Sequence, residues 1–438
     1  MRPVVDPLPI EPASGPLDAV VRVPGSKSLT NRALVCAALG PGTSWLTGAL
    51  IADDTEAMMS CLRQLGADVD VDVAADGATT VEVVGTGGEL VEGPLDLEAH
   101  LSGTTARFVL PVLGIGPGPY RLDGAPPLRA RPVHQVLHAL RALGVDVEYR
   151  GEPGHLPVMV RGHVDGDRVE VDGSASSQFV SGLLLAAPCY RRGLSVDVVG
   201  ETVSGPYVAL TLDVMRAFGV EPVADGAGRY EVGPGAYRAV SPYAIEPDAS
   251  SASYAFAAAA IVGGRVRVDG LGDGSRQGDL AFVDLLGQMG ADVERAPGHV
   301  EVRSSGELHG VDVDLRDTPD VAQTLAVVAA FADGPTTVRG VGFIRGHETD
   351  RLAAVVTELR RCGVDASETD DGFVVRPGAP SGADVQTYDD HRMAMSFALL
   401  GLRVPGIRIS DPGCVAKTFP GYWDLLDHLR VGARSGSD

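Results

Sequence analysis

Apolar and polar positions along this chain repeat over a long period. Five times, an apolar pattern with helical spacing ends in glycine, followed by a small apolar residue and an acid. The copies are LRQLGADV (62–69), LRALGVDV (140–147), MRAFGVEP (215–222), LGQMGADV (286–293) and LRRCGVDA (359–366). Their glycines, Gly66, Gly144, Gly219, Gly290 and Gly363, are 78, 75, 71 and 73 residues apart. A closing helix at 423–429 stands at about the same interval, so six units of about 73 residues fill the 438. Each phrase predicts a helix stopped by a left-handed glycine, then a strand. Further strands and second helices lie between, so the unit is a β/α module too small to be stable alone. Solenoid repeats run to about 20–50 residues. Modules this large predict two globular lobes with threefold internal symmetry instead.

The second helices start on polar, glycine-rich or cationic segments: GSKSLTNRALVCAAL, SGTTARFVLPVL, SASSQFVSGLLLAA, DASSASYAFAAAAIV, TPDVAQTLAVVAAF, ETDRLAAVVTEL and YDDHRMAMSFALLGL. Ser, Thr and Asp there serve as N-caps. Capping does not call for cations, which the helix dipole disfavours in a first turn. Yet Lys27, Arg32, Arg107, Arg351 and Arg392 lie near such starts. Cations beside helix N-termini make anion sites.

Composition sharpens this picture. The net charge is −22, which argues against nucleic acid or an anionic membrane as partner. Several cationic sites in so acidic a chain point instead to small substrates with multiple negative charges. Of 36 basic residues only Lys27 and Lys417 are lysine. Codon bias accounts for the ratio, not for where the two lysines remain: both lie in short Ser/Thr-bearing loops, PGSKSLTNR and CVAKTFPGY. A compact ammonium cannot be copied by arginine at a tight phosphate or carboxylate site.

The longest apolar run, 254–262, has nine residues, far short of the roughly 20 of a membrane span. Nothing resembles a secretory leader. The five cysteines, Cys36, Cys61, Cys189, Cys362 and Cys414, form no CxxC. A disulfide framework is not expected, and a reducing cytoplasm is. No dinucleotide or ATP phosphate loop, no HExxH and no GxSxG nucleophile elbow occurs. His391, in DDHRM, reads as a structural hydrogen-bonding residue. The expected chemistry uses side chains only, with no cofactor and no metal.

PGSKSLTNRAL, LSGTTARF, DGSASSQFVSGLLLAAP, HETDRL, YDDHRMAM and KTFPGY, in this order over nearly the whole chain, resemble the 5-enolpyruvylshikimate-3-phosphate synthase family (3-phosphoshikimate 1-carboxyvinyltransferases). The resemblance implies an α/β fold (α+β in some schemes) of two lobes. Each lobe holds three βαβαββ units in pseudo-threefold symmetry, with the active site in the cleft between lobes. The chain crossings fall near 23–25 and 241–246, giving one discontinuous lobe of 1–24 plus 246–438 and another of 25–245. The implied enzyme is a cytoplasmic monomer, a transferase of the shikimate pathway to chorismate and the aromatic amino acids. It moves the enolpyruvyl group of phosphoenolpyruvate to the 5-hydroxyl of shikimate 3-phosphate, through a tetrahedral ketal, and releases phosphate. The family is the target of glyphosate, which occupies the phosphoenolpyruvate site beside the glycine matching Gly103.

Carried over residue by residue, the resemblance assigns Lys27, Ser28, Arg32, Ser176, Ser177, Gln178, Ser204, Tyr207, Asp320 and His347 to shikimate 3-phosphate. It assigns Lys27, Gly103, Arg131, Gln178, Arg351, Arg392 and Lys417 to phosphoenolpyruvate. Asp320 takes the proton of the 5-hydroxyl; Glu348 delivers or relays the proton at C3, with Lys27 a competing donor. From its spacing alone Asp320, in TPDVAQ, reads as a first-turn acid favoured by the dipole, and it is the resemblance that gives it the catalytic role.

Some positions depart from the pattern common in the family. His347 stands where many members have lysine, Phe343 where many have asparagine. Leu101 replaces an asparagine before SGTT, and Phe108 a proline after Arg107. These changes bear on the affinity and pH dependence of shikimate-phosphate binding. An enolpyruvyl transferase acting on a UDP-sugar shares the fold but usually carries a reactive cysteine on a loop for which the matching stretch, 108–131, has none. A transferase acting on another phosphorylated cyclitol is a third reading. A catalytically dead anion-binding scaffold is a fourth, against which the intact Lys27, Asp320, Glu348 and Lys417 argue.

Overall fold

The structure, a computed structural model, describes residues 5–75, 77–174, 176–200 and 203–432. The chain divides into two compact units, Gly25–Ile245 and Met1–Pro24 with Glu246–Asp438. Six small mixed sheets carry the fold, five of four strands and one of three among the described residues.

One module shows how the pattern folds. Leu95–Glu98 leads into the helix Gly103–Leu113 and then Tyr120–Asp123, which pairs parallel with the first strand. The helix His134–Ala142 follows, then the strands Asp146–Tyr149 and Val158–Arg161, paired antiparallel with each other. Val158–Arg161 also pairs antiparallel with Tyr120–Asp123. The order is βαβαββ. Gly144, at φ 96°, ends the amphipathic helix, and Gly66, Gly219, Gly290 and Gly363 are likewise left-handed. A Cβ is strained there, which is why the phrase always breaks on glycine.

The helices form two sets. The glycine-terminated helices are amphipathic; Asp53–Gln64 carries Asp53, Asp54 and Glu56 in its first turn and Arg63 in its last, matching the dipole. The others are buried nearly all round. Of Lys27–Leu39, every residue from Leu29 onward is buried, and Gly103–Leu113 and Ala322–Ala329 are buried throughout. Helices without a polar face belong at the centre of a layered fold. The unit Gly25–Ile245 holds three of these inner helices: Lys27–Leu39, Gly103–Leu113 and Ser177–Ala186. The other unit holds Ala249–Val262, Ala322–Ala329 and His391–Gly401. In that unit the hydroxyls of Ser253, Thr324 and Ser396 join the three inner helices by contacts of 3.4 and 3.2 Å. Each unit has its own continuous apolar core.

One expectation needs correction. The helix beginning ETDRL, grouped above with the second set, is the glycine-terminated helix Arg351–Arg361; Arg351 therefore reaches the site from an outer helix. The six modules are not laid out as a plain tandem. Leu17–Val21 pairs parallel with Gly264–Asp269, and Tyr243–Ala244 with Pro41–Thr47, so the first strand of each unit's leading sheet comes from a distant part of the chain. Among the described residues the last module shows no closing hairpin, and its sheet includes Leu8–Pro9, antiparallel to Arg408–Ile409.

Candidate active site

In the unit that includes Glu246–Asp438, the starts of the inner helices carry charge, and the charges pair. Asp390 caps His391–Gly401, its carboxylate accepting from the Arg392 N–H at 2.9 Å. The same carboxylate takes Arg351 Nε at 2.7 Å and Nη2 at 3.3 Å. Arg351 also donates to Glu348 at 2.8 Å and to Asp320 at 3.3 Å. Asp320, in the short turn Pro319–Val321, receives Arg392 Nη2 at 2.7 Å, and its carbonyl receives Nη1 at 3.1 Å. Lys417 Nζ stands 3.6 Å from Glu348. Three carboxylates and three cations thus form one network. Burial alone would lower the pKa of Arg351, but Asp390, Glu348 and Asp320 together raise it above the ordinary value, so its charge is secure.

His347 completes this set. Its Nδ1 lies 3.2 Å from Arg351 Nη1. A guanidinium only donates, so Nδ1 accepts and Nε2 carries the ring proton. The ring packs edge-on against Phe343 at 5.9 Å. Two of the departures from the family pattern therefore form one aromatic pair. The six residues expected here, Asp320, His347, Glu348, Arg351, Arg392 and Lys417, are all brought together.

In the unit Gly25–Ile245 the inner helices again present their starts. Lys27 Nζ pairs with Asp54 at 3.0 Å. The Asp54 carbonyl accepts from the Ser102 and Thr105 hydroxyls at 3.3 and 3.2 Å, tying the first two inner helices together. Gln178 reaches Thr104 at 3.4 Å and accepts from Arg107 at 2.7 Å, tying in the third. Ser26, Ser102 and Ser176 cap the three helices. Ser177 is buried in the first turn of its helix, and Ser28 is half-buried. Gly103 is the first helical residue, and a Cβ there would stand 2.9 Å from the Arg131 guanidinium. The missing side chain is what lets Arg131 lie across this helix start. Ser204, left-handed at φ 55°, precedes Gly205–Ala217, and Tyr207 follows in the first turn.

Arg32 behaves unlike the rest. It is 2% exposed and donates Nε–H to Thr211 at 2.7 Å, Nη1–H to the Ser28 carbonyl at 3.0 Å, and Nη2–H to Ser181 at 3.3 Å and the Tyr207 carbonyl at 3.0 Å. Four of its five N–H groups are spent inside the unit. Burial pulls its pKa down to about 10. It braces Ser28 and Tyr207 rather than presenting an open fork.

Several residues were not picked out as candidates from the sequence. Asp54 and Asp390 read as first-turn or capping acids, and nothing in their spacing separates them from ordinary ones. Asp279 is fully buried, accepts from the Ser250 hydroxyl, and is pushed up to about 7 by burial and then by the charge of Asp320. Tyr254, raised to about 12 mainly by burial, lies beside Arg392.

The six small mixed sheets with their helices and this charged constellation define an enolpyruvyl-transferase-like protein. The family model for EPSP synthase (3-phosphoshikimate 1-carboxyvinyltransferase) matches residues 12–426. A 3-phosphoshikimate 1-carboxyvinyltransferase of Nostoc punctiforme is 44% identical over 421 residues, 96% of this chain and 98% of the relative. One of Serratia proteamaculans is 43% identical over 429 residues, covering 97% and 99%. The solved EPSP synthase of Acinetobacter baumannii superposes with a TM-score of 0.80 at 26% identity, over 97% of this chain and 98% of that one. The chain belongs to the EPSP synthase family. Its activity is that of a 3-phosphoshikimate 1-carboxyvinyltransferase, in the shikimate pathway.

Proposed function

We propose that the residues below hold two substrates, shikimate 3-phosphate and phosphoenolpyruvate. Ser28, Ser176, Ser177, Gln178, Ser204 and Tyr207, with Lys27 and His347, hold shikimate 3-phosphate; Arg32 acts mainly by setting Ser28 and Tyr207. Arg131, Arg351, Arg392, Lys417 and Lys27 hold phosphoenolpyruvate, with Gln178 and the open backbone at Gly103. Forked guanidinium donors suit its carboxylate and phosphate oxygens.

The observation that carries this reading is the pair of carboxylates, Asp320 and Glu348, both held by Arg351. Asp320 takes the proton of the 5-hydroxyl as that oxygen bonds to C2. Glu348 gives a proton to C3 of the former double bond, and the tetrahedral ketal results. The bond from C2 to the phosphate oxygen then breaks, a C3 proton returns to the carboxylate, and phosphate leaves with the bonding electrons. The surrounding cations stabilise the charge that develops. Lys27, paired with Asp54, is the alternative donor to C3.

The five cysteines are free, three of them buried, which suits a reducing cytoplasm. The proposed state is a monomer. The test is phosphate release from shikimate 3-phosphate plus phosphoenolpyruvate with neither metal nor nucleotide added. Release only with a UDP-sugar or another phosphorylated cyclitol as acceptor would overturn the substrate assignment.

A further inference from the structure

Arg351 and Glu358 lie seven residues apart on the helix Arg351–Arg361, two turns along one face. Both grip the loop that leads into His391–Gly401. Arg351 holds Asp390 at the loop's end. Glu358, fully buried, holds its beginning: the carboxylate accepts the Gln386 N–H at 3.0 Å and the Tyr388 O–H at 2.7 Å, and pairs with Arg361 at 2.9 Å. Between these anchors Tyr388 and Asp389 are both left-handed, at φ 57° and 58°. Two successive non-glycine residues in that region are disfavoured and persist only where the surroundings over-determine them. The turn they make lets the Asp390 N–H reach the Thr387 carbonyl at 2.9 Å and delivers the Asp390 carboxylate to both Arg351 and the Arg392 N–H. The phenol of Tyr388 is pushed up to about 12 by burial and by the Glu358 charge, so it remains a donor across the working pH range.

We propose that Glu358 is a positioning residue for the reaction: through Gln386 and Tyr388 it fixes the left-handed turn that sets Asp390, and through Asp390 the two arginines Arg351 and Arg392. It touches no substrate. The inference rests on the assignment of those arginines to phosphoenolpyruvate and adds the element that aims them.

The test compares Glu358→Gln, Tyr388→Phe and Arg392→Lys by steady-state phosphate release, with thermal melts alongside. An amide cannot replace a carboxylate that takes three donors. Glu358→Gln is expected to raise the KM for phosphoenolpyruvate about tenfold, with that for shikimate 3-phosphate within about twofold. Tyr388→Phe removes one O–H from a partly exposed ring and is expected to give about a threefold rise in the same constant alone. It decides the matter should Glu358→Gln fail to fold. A lowered melting temperature with both KM values unchanged, or with both raised equally, overturns the positioning role. An unchanged phosphoenolpyruvate KM in Arg392→Lys overturns the ligand assignment and takes the proposal with it. A raised KM there, with no change in the other two variants, overturns the proposal alone.

Discussion

Gly103→Ala places a methyl group where the structure leaves no room for one. Its Cβ would stand 2.9 Å from Arg131 Nη1, 3.0 Å from Cζ and 3.1 Å from Nη2. Carbon reaches ordinary contact near 3.4 Å, so the guanidinium must retreat by about 0.5 Å. The obstacle is the far end of a flexible side chain, so the fold tolerates the change and the melting temperature should move little. The fork is what suffers. A charge-assisted N–H···O contact of about 2.8 Å stretched by half an ångström loses much of its worth, about 1.5 kcal/mol, or roughly tenfold in affinity. The KM for phosphoenolpyruvate should therefore rise about tenfold. Glyphosate, the longer ligand at the same site in this family, meets the methyl as well as the displaced arginine. Its inhibition constant should rise about 100-fold or more, a clash aimed at one ligand. The assay is an inhibition series at fixed shikimate 3-phosphate, on wild type, Gly103→Ala, Arg131→Lys and the double variant. The methyl acts through Arg131, so its effect on KM should largely vanish in the Arg131→Lys background. Additive effects, or a KM untouched by Gly103→Ala, would refute the argument. Wild-type insensitivity to millimolar glyphosate would refute the placement of the helix start.

Asp320→Asn should still bind shikimate 3-phosphate by calorimetry while turnover falls about 100-fold or more; loss of binding would make Asp320 structural. Glu348→Gln should abolish deuterium uptake at C3 from heavy water, and uptake at the wild-type rate would hand the proton to Lys27. Lys27→Ala and Lys417→Ala should each cost about 100-fold or more in kcat/KM with little change in melting temperature, and either variant keeping more than about a tenth of the activity would defeat the argument from the two lysines. Asp279, raised to about 7 in the fold by burial and Asp320, holds a proton that the unfolded chain gives up near pH 4. Its contribution to stability therefore falls as pH rises from about 4 through about 7, and Asp279→Asn should flatten the melting temperature across that window; an unchanged slope would show that another group titrates.

The repeat was legible because each module breaks on the same physical requirement. A helix must stop where an amphipathic face ends, and a left-handed residue there is cheapest as glycine. Five phrases thus marked five helix ends without reference to any fold. The strand exchanges were not legible in the local pattern, and only the family resemblance implied that the chain crosses between lobes. Leu17–Val21 and Tyr243–Ala244 look like any short strand, and their parallel partners lie about 200 residues or more away in the chain. Local pattern sets a strand's faces, not its neighbour. The pairing of Leu8–Pro9 with Arg408–Ile409 was equally hidden, because a helix at the right distance looks complete until its sheet is counted.

For the site, the cations stood out and the acids did not. A cation in a first helical turn works against the dipole, so Lys27, Arg351 and Arg392 needed a reason that lay outside their own helices. An acid in the same place needs none. Asp54, Asp390 and Asp279 therefore pass as caps or solvated first-turn residues until the inner helices are assembled. Then one ties Lys27 to the start of Gly103–Leu113, another holds Arg351 and caps the Arg392 helix, and the third is buried beside Asp320. Arg32 errs in the opposite sense: its position announces a ligand, yet nearly all its donors face inward. The rule that separates these cases is a count of where the donors go. Arg32 spends four N–H groups on neutral oxygens of its own unit. Arg351 spends its donors on Asp320, Glu348 and Asp390, together with His347. An incoming anion gains little by displacing a neutral oxygen from a buried brace. On the proposed assignment, an anion arriving at Arg351 competes with the carboxylates of Asp320 and Glu348, so binding substrate would also release both proposed proton carriers from ion pairing.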